Sequence, residues 1–185
     1  MSACGFILDE ARGRRRVARG FTLVEILIVV VILGILATIV VPQMSGASKE
    51  ARENSLKDDL RYLRIQLQVF KAQHADLAPG YPGGVPSATP TEAAFLQQMT
   101  MYSNEKGATN ATATSVYKLG PYVSHMPDNP INGLSSIKMI DNATPLPAPN
   151  PAEEQTYGWI YKPATQEIIA NSTGTDASGT PYSKY

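Results

Sequence analysis

Cysteine is nearly absent from this chain: Cys4 stands alone among 185 residues. It lies in a segment that, for reasons given below, is expected to be removed, so the remaining chain can form no disulfide in any compartment. Small secreted domains often lean on such bridges, so this one must draw its stability from packing. Histidine is scarce too. His74 and His125 have no partner at metal-ligand spacing, and no His-Glu-x-x-His pattern occurs. A Gly-x-Ser-x-Gly elbow and a phosphate-binding glycine loop are also missing. Asp58 and Asp59 are neighbours in sequence, which on a helix points them about 100° apart and prevents convergence as an acid–base pair. No enzyme is expected. Excess charge is lacking as well. A formal net charge of +0 with 17% charged residues argues against nucleic-acid binding and against a disordered acidic tail. The length allows one compact domain plus an extension, not two full domains.

What is present is unevenly distributed. Arg12, Arg14, Arg15, Arg16 and Arg19 precede Phe21, against Asp9 and Glu10. Taking these away from 16 basic and 16 acidic residues leaves 11 and 14, a mildly acidic remainder. Immediately after the arginines, residues 21–41 read FTLVEILIVVVILGILATIVV, in which only Thr22, Glu25 and Thr38 carry polar side chains. As a helix this run covers roughly 30 Å, about one hydrocarbon thickness. Its Val and Ile content would suit a buried strand. A lipid-spanning segment must satisfy its own backbone, however, and the length favours a helix. The arginines place residues before 20 in the cytoplasm and export the rest.

Three readings compete for this segment. A secretory signal peptide, with cleavage near Ser45-Gly46-Ala47, would have too long an apolar region, since about 7–15 residues is usual. A plain signal anchor leaves Glu25 unexplained. A carboxylate there costs about 2.5–3.5 kcal/mol on insertion scales and calls for a partner. The third reading supplies one: a free α-amine at Phe21, created by cutting between Gly20 and Phe21.

Gly20-Phe21-Thr22-Leu23-Val24-Glu25 resembles the cleavage and methylation motif of type IV pilin-like proteins, including the pseudopilins of type II secretion. The resemblance implies that a membrane-embedded aspartyl prepilin peptidase cuts after Gly20 and methylates Phe21. It also implies that Glu25 serves assembly. Gly34 and Pro42 fall where the family tends to have a glycine and a proline. The leader, 20 residues, is longer than in many pseudopilins. The implied partners are further copies of the chain, other pseudopilins, the prepilin peptidase, an inner-membrane assembly platform and the membrane itself. The implied location is the bacterial inner membrane, with the N-terminus cytoplasmic and the remainder periplasmic.

Beyond the apolar run, Pro42 predicts a kink or local break. Leu56, Leu60, Leu63, Leu67 and Phe70 then recur at steps of four and three, one helical stripe facing a core. Glu53 with Lys57, and Asp58 with Arg61, are spaced for helix-surface ion pairs. The helix is expected to run to about His74, before Pro79-Gly80-Tyr81-Pro82-Gly83-Gly84 ends it. Thr89-Pro90-Thr91-Glu92 signals a second helix, with Thr89 as N-cap and Glu92 completing a capping box. Residues 119–133 read as an ordered loop. Strands are expected at 136–140, 157–161 and 167–171, the last two as a hairpin, all in one antiparallel sheet laid on the helix. The fold class expected is α+β: a long N-terminal helix, membrane-spanning in its first half and amphipathic in its second, packed on a small antiparallel sheet. The divisions expected are a leader at 1–20, a membrane and assembly helix at 21–42 and a periplasmic domain at 43–185.

This layout also resembles the major-pseudopilin type, which implies calcium as a candidate ligand through the C-terminal loop. Residues 171–179 offer many oxygens but one carboxylate, Asp176, which Asp128 could join. A calcium site wants six to eight oxygens, usually with several carboxylates, so a plain polar surface loop is the competing reading. Three Asn-x-Thr triplets, at Asn110, Asn142 and Asn171, are taken as loop chemistry. The function expected is a structural subunit of a membrane-anchored filament, most simply a type II secretion pseudopilin. The rivals are a surface type IV pilus subunit and a membrane-anchored enzyme or binding module. Missing mature cysteines favour the pseudopilin over the many pilins that close a loop with a disulfide.

Overall fold

The computed structural model describes residues 20–185; the rest of the expected leader lies outside the described residues. The chain divides into two compact units, Met1–Met44 and Ser45–Tyr185. Helix α1 (Leu23–Gln73) begins in the first and ends in the second. Its start is set by two reciprocal hydrogen bonds. The Glu25 backbone N–H donates to Thr22 Oγ1 at 3.1 Å, and the Thr22 backbone N–H donates to Glu25 Oε2 at 3.4 Å. Thr22-x-x-Glu25 is thus a capping box, satisfying amides that the first turn would otherwise leave without acceptors. Residues 21–40 are exposed all round, and Leu23–Val40 is long and apolar enough to cross a membrane. A helix apolar on every face is the pattern of a span, not of a soluble surface helix. Of the kink or local break expected at Pro42, the break does not occur, since the helix runs unbroken through it.

In the second unit the expected stripe forms the core. Leu56, Leu60, Leu63, Leu67 and Phe70 are each at most 1% exposed, and burying such a side chain stabilises by about 1.5–3 kcal/mol. The expected ion pairs do not form. Glu53 faces Lys49 at 3.6 Å, and Lys57 approaches Asp176 at 4.0 Å. The reason is a long-range contact: the Glu53 carboxylate accepts the Tyr182 hydroxyl at 3.0 Å, which turns it toward the 171–185 segment. Asp58 and Arg61 make no ion pair among the described residues, in line with the small gain from exposed pairs. After Gln73 the Lys71 carbonyl accepts the N–H groups of His74 and Asp76. Ala75 and Asp76 take positive φ, so the chain leaves the helix through left-handed backbone.

Helix α2 (Glu92–Thr100) is capped by Thr91, whose Oγ1 accepts the Ala94 N–H at 3.2 Å. The cap is therefore Thr91, not Thr89. Thr91 N–H is held by the Gly80 carbonyl, so the helix starts after Pro90, and Glu92 instead accepts the Ile137 N–H at 2.7 Å. A two-residue ribbon unforeseen from sequence follows, β1 (Tyr102–Ser103) against β2 (Thr109–Asn110), antiparallel. The main sheet contains β3 (Ile137–Met139), β4 (Trp159–Lys162) and β5 (Glu167–Ala170) in that order. β4 and β5 make the expected antiparallel hairpin, with Trp159 opposite Ala170 and Tyr161 opposite Ile168. β3 runs parallel to β4, a departure from the all-antiparallel expectation. The Pro-rich stretch between them is long enough for a crossover, which parallel neighbours require. Gly158 lets it return: a Cβ there would overlap the Leu134 carbonyl oxygen. Trp159, Tyr161, Ile168 and Ala170 join the α1 stripe, Phe95 and Met99 in one core. The Trp159 indole N–H donates to the Pro127 carbonyl at 2.9 Å.

Candidate functional site

Three of the residues singled out from sequence cluster at the start of α1. Gly20, Phe21 and Thr22 precede the helix without regular structure. Phe21 is 79% exposed, and nothing lies within 4 Å of where a Gly20 Cβ would be. The Gly20–Phe21 peptide bond is thus on irregular, accessible backbone, the kind a protease can engage. One turn further on, Glu25 places a single oxygen on the Thr22 N–H. Its Oε1 has no partner among the described residues. The side chain therefore closes its own helix end and keeps acceptor capacity for a second donor. A Cβ at Gly34 would meet nothing within 4 Å; a small residue on a span lets another backbone approach closely. Pro42 lies in the helical part of the chain, past the apolar run.

The calcium residues are arranged differently. Asp176 Oδ1 accepts the backbone N–H groups of Ser178 and Thr180, each at 2.8 Å, and Oδ2 accepts the Tyr185 hydroxyl at 2.9 Å. Its carboxyl is held below the usual range, first by the Thr180 N–H and then by the Tyr185 hydroxyl, the Ser178 N–H and Lys57. Asp128 is exposed. Among the described residues no three acidic or imidazole side chains gather as a metal site. With three donors already on its two oxygens and no cluster of acidic side chains around it among the described residues, Asp176 falls short of the six to eight oxygens and several carboxylates that a calcium site gathers.

Neither histidine enters a catalytic arrangement. His74 is buried, stacked on Phe70 with ring centroids 3.8 Å apart. Nδ1 lies 2.7 Å from the Phe70 carbonyl and Nε2 lies 3.0 Å from Ser103 Oγ. Since a carbonyl can only accept, Nδ1 carries the proton and Nε2 accepts from Ser103. Burial pushes this imidazole down from its ordinary value.

Two features escaped the sequence reading. The Thr22–Glu25 box carries a spacing signal that reveals it, Thr-x-x-Glu opening an apolar run. The other is a polar knot under the sheet, for which no sequence signal exists. Asn132 Nδ2 lies within 2.9, 2.9 and 3.2 Å of the Glu154, Tyr157 and Asn171 carbonyls, and Asn171 Nδ2 donates to those of Glu153 and Tyr157. Asn171 is fully buried, so its Asn-Ser-Thr triplet is structural.

A family model described as the prokaryotic N-terminal methylation motif matches residues 15–41. The chain is 45% identical over 58 residues to type II secretion system core protein G of Pseudomonas aeruginosa, covering 31% of this chain and 41% of that protein. Against the protein of the same name from Dickeya chrysanthemi it is 42% identical over 57 residues, 37% of that protein. The chain thus spans less than half the length of these two relatives. Against the one from Klebsiella pneumoniae the match is longer, 33% identity over 112 residues, covering 60% of this chain and 68% of that protein. No solved structure matches. The methylation motif at Gly20–Phe21, the capped apolar helix behind it and the extended Klebsiella match together show that the chain belongs to the type II secretion system core protein G family, the major pseudopilins.

Proposed function

We propose that the chain is a filament subunit that supports protein export by a type II secretion system. Prepilin peptidase cuts between Gly20 and Phe21 and methylates the new terminus. Residues 21–42 then hold the subunit in the inner membrane, with 43–185 on the periplasmic side. Copies pack with one another and with other pseudopilins on an inner-membrane assembly platform. The part it plays is structural, and neither catalysis nor calcium belongs to this reading.

The observation that carries it is Glu25. Its carboxylate stands in an otherwise apolar span, and its own chain offers it one long hydrogen bond at 3.4 Å. The α-amine of a neighbouring Phe21 supplies the missing partner, and both charges leave water together, which is tolerable only when they pair. Before cleavage no amine exists there, so processing gates assembly. The rival pilus reading shares these N-terminal features; the names of the relatives favour secretion.

The test separates charge from capping. Glu25→Gln keeps a side-chain oxygen for the Thr22 N–H but removes the charge. It should be inserted and cleaved as before, yet give few filaments. Glu25→Ala should do the same, and Glu25→Asp should fall between. Sheared-filament yield is read beside the cleaved-to-uncleaved ratio on a blot. Normal filament yield from Glu25→Gln would remove the charge-pair mechanism.

A further inference from the structure

Lys49, Glu53 and Lys57 follow one another at steps of four along α1, so they share one side of the helix. Each reaches the same stretch of chain. Lys49 Nζ donates to the Thr175 carbonyl at 3.3 Å, and the Glu53 carboxylate accepts the Tyr182 hydroxyl at 3.0 Å. Lys57 Nζ lies 4.0 Å from Asp176 Oδ2 and 4.4 Å from the centre of the Tyr185 ring. Further along, Arg64 donates to the Ile168 carbonyl at 3.1 Å and to the Tyr185 main-chain oxygen at 2.5 Å. Tyr182 and Tyr185 also pack edge to face, 5.7 Å between ring centres, and Tyr182 is buried.

This ladder stands where the resemblance to major pseudopilins implies a metal. Asp176 is the acidic side chain of the 171–185 segment, and its neighbours are two backbone amides, a phenol and an ammonium group. A calcium site gathers six to eight oxygens, usually with several carboxylates, and no such cluster of acidic side chains surrounds Asp176 among the described residues. Here the charge is answered by donors from its own chain, and the segment is tied to α1 at four points. Glu53, itself buried, is met there by Lys49 at 3.6 Å and by the Tyr182 hydroxyl at 3.0 Å.

We infer that Lys49, Glu53, Lys57 and Arg64 fasten residues 173–185 to α1 in place of a bound cation, so that this subunit folds its closing segment without calcium. The inference stands apart from the filament reading: a calcium-dependent segment would overturn it and leave assembly untouched.

The full chain, extracted in detergent, tests this through chymotrypsin cleavage after Tyr182, located by mass spectrometry. In the native chain the cleavage rate should be unchanged by excess chelator and by added calcium. Lys57→Met, which keeps the aliphatic stem, should raise it about fivefold, the scale of one partly exposed charge contact. Glu53→Gln should raise it further, because the ladder's buried member loses its charge. Glu50→Gln, exposed and outside the ladder, should behave as native. Chelator-induced cleavage in the native chain would overturn the inference, and so would native protection in both Lys57→Met and Glu53→Gln.

Discussion

Shortening Leu63 to alanine probes whether the second part of α1 is the floor of the Ser45–Tyr185 unit. Leu63 is 0% exposed, between Leu60 and Leu67 on the stripe that meets the sheet and α2. A Leu→Ala change at a site this closed costs about 2.7–5 kcal/mol, lost transfer energy plus the cavity left behind. For a domain of this size each kcal/mol moves the melting point by roughly 2–4 °C, so a fall of about 5–20 °C is expected. Ile65, two positions away, is 50% exposed. Ile65→Ala should change stability by less than about 0.5 kcal/mol, since it empties no core site. The assay is thermal unfolding by circular dichroism on a fragment beginning at Ser45, the start of the second compact unit. The unaltered fragment should be soluble and melt cooperatively. Equal effects at positions 63 and 65 would refute the assignment of faces. A fragment without a cooperative melt would refute the claim that 45–185 carries its own core.

Two further perturbations test particular contacts. Burial depresses the His74 imidazole, so the unfolded chain takes up a proton at higher pH than the folded one. Stability should therefore fall as pH drops below about 6.5, by at most about 1.4 kcal/mol per pH unit for one proton. Melting points between about pH 7 and 5 should show the slope, and His74→Asn should flatten it; an unchanged slope would mean another group titrates. Gly158→Ala places a methyl group onto the Leu134 carbonyl oxygen and should destabilise by about 1–3 kcal/mol. A native melting point for that variant would show that the crossover into β4 is looser than its geometry.

The parts legible in the sequence are those set by short-range pattern. The apolar run announces itself by length, and the stripe from Leu56 to Phe70 by its spacing. The β4–β5 hairpin shows as two β-rich runs around Lys162-Pro163-Ala164-Thr165-Gln166. Sequence puts the cap at Thr89, while the structure puts it at Thr91, a residue of the same capping chemistry. What decided between them is the long-range hold of the Gly80 carbonyl on the Thr91 N–H. The direction of β3 was unreadable for a similar reason: a strand of three residues carries no mark of which neighbour it will pair with. Glu53 and Lys57 were spaced to bind each other, yet both serve a segment more than a hundred positions away. Local spacing proposes a partner, but burial chooses it.

The same competition bears on the assembly role proposed for Glu25. If pairing with a neighbour's amine required breaking the capping box, assembly would cost the helix its first turn, about 0.5–2 kcal/mol for a lost cap. The geometry avoids that conflict. The bond that anchors the helix most firmly, Glu25 N–H to Thr22 Oγ1 at 3.1 Å, does not involve the carboxylate, and the carboxylate's own bond to Thr22 N–H is long at 3.4 Å. An incoming ammonium can take Oε1 while Oε2 keeps its amide. That contact is charge-assisted and about twice as strong as a neutral hydrogen bond. Capping orients the carboxylate near the helix entrance, and the proposed pairing would add to the cap rather than replace it. Thr22→Ala should accordingly be milder than Glu25→Gln in filament yield, because it loosens the orientation and leaves the charge.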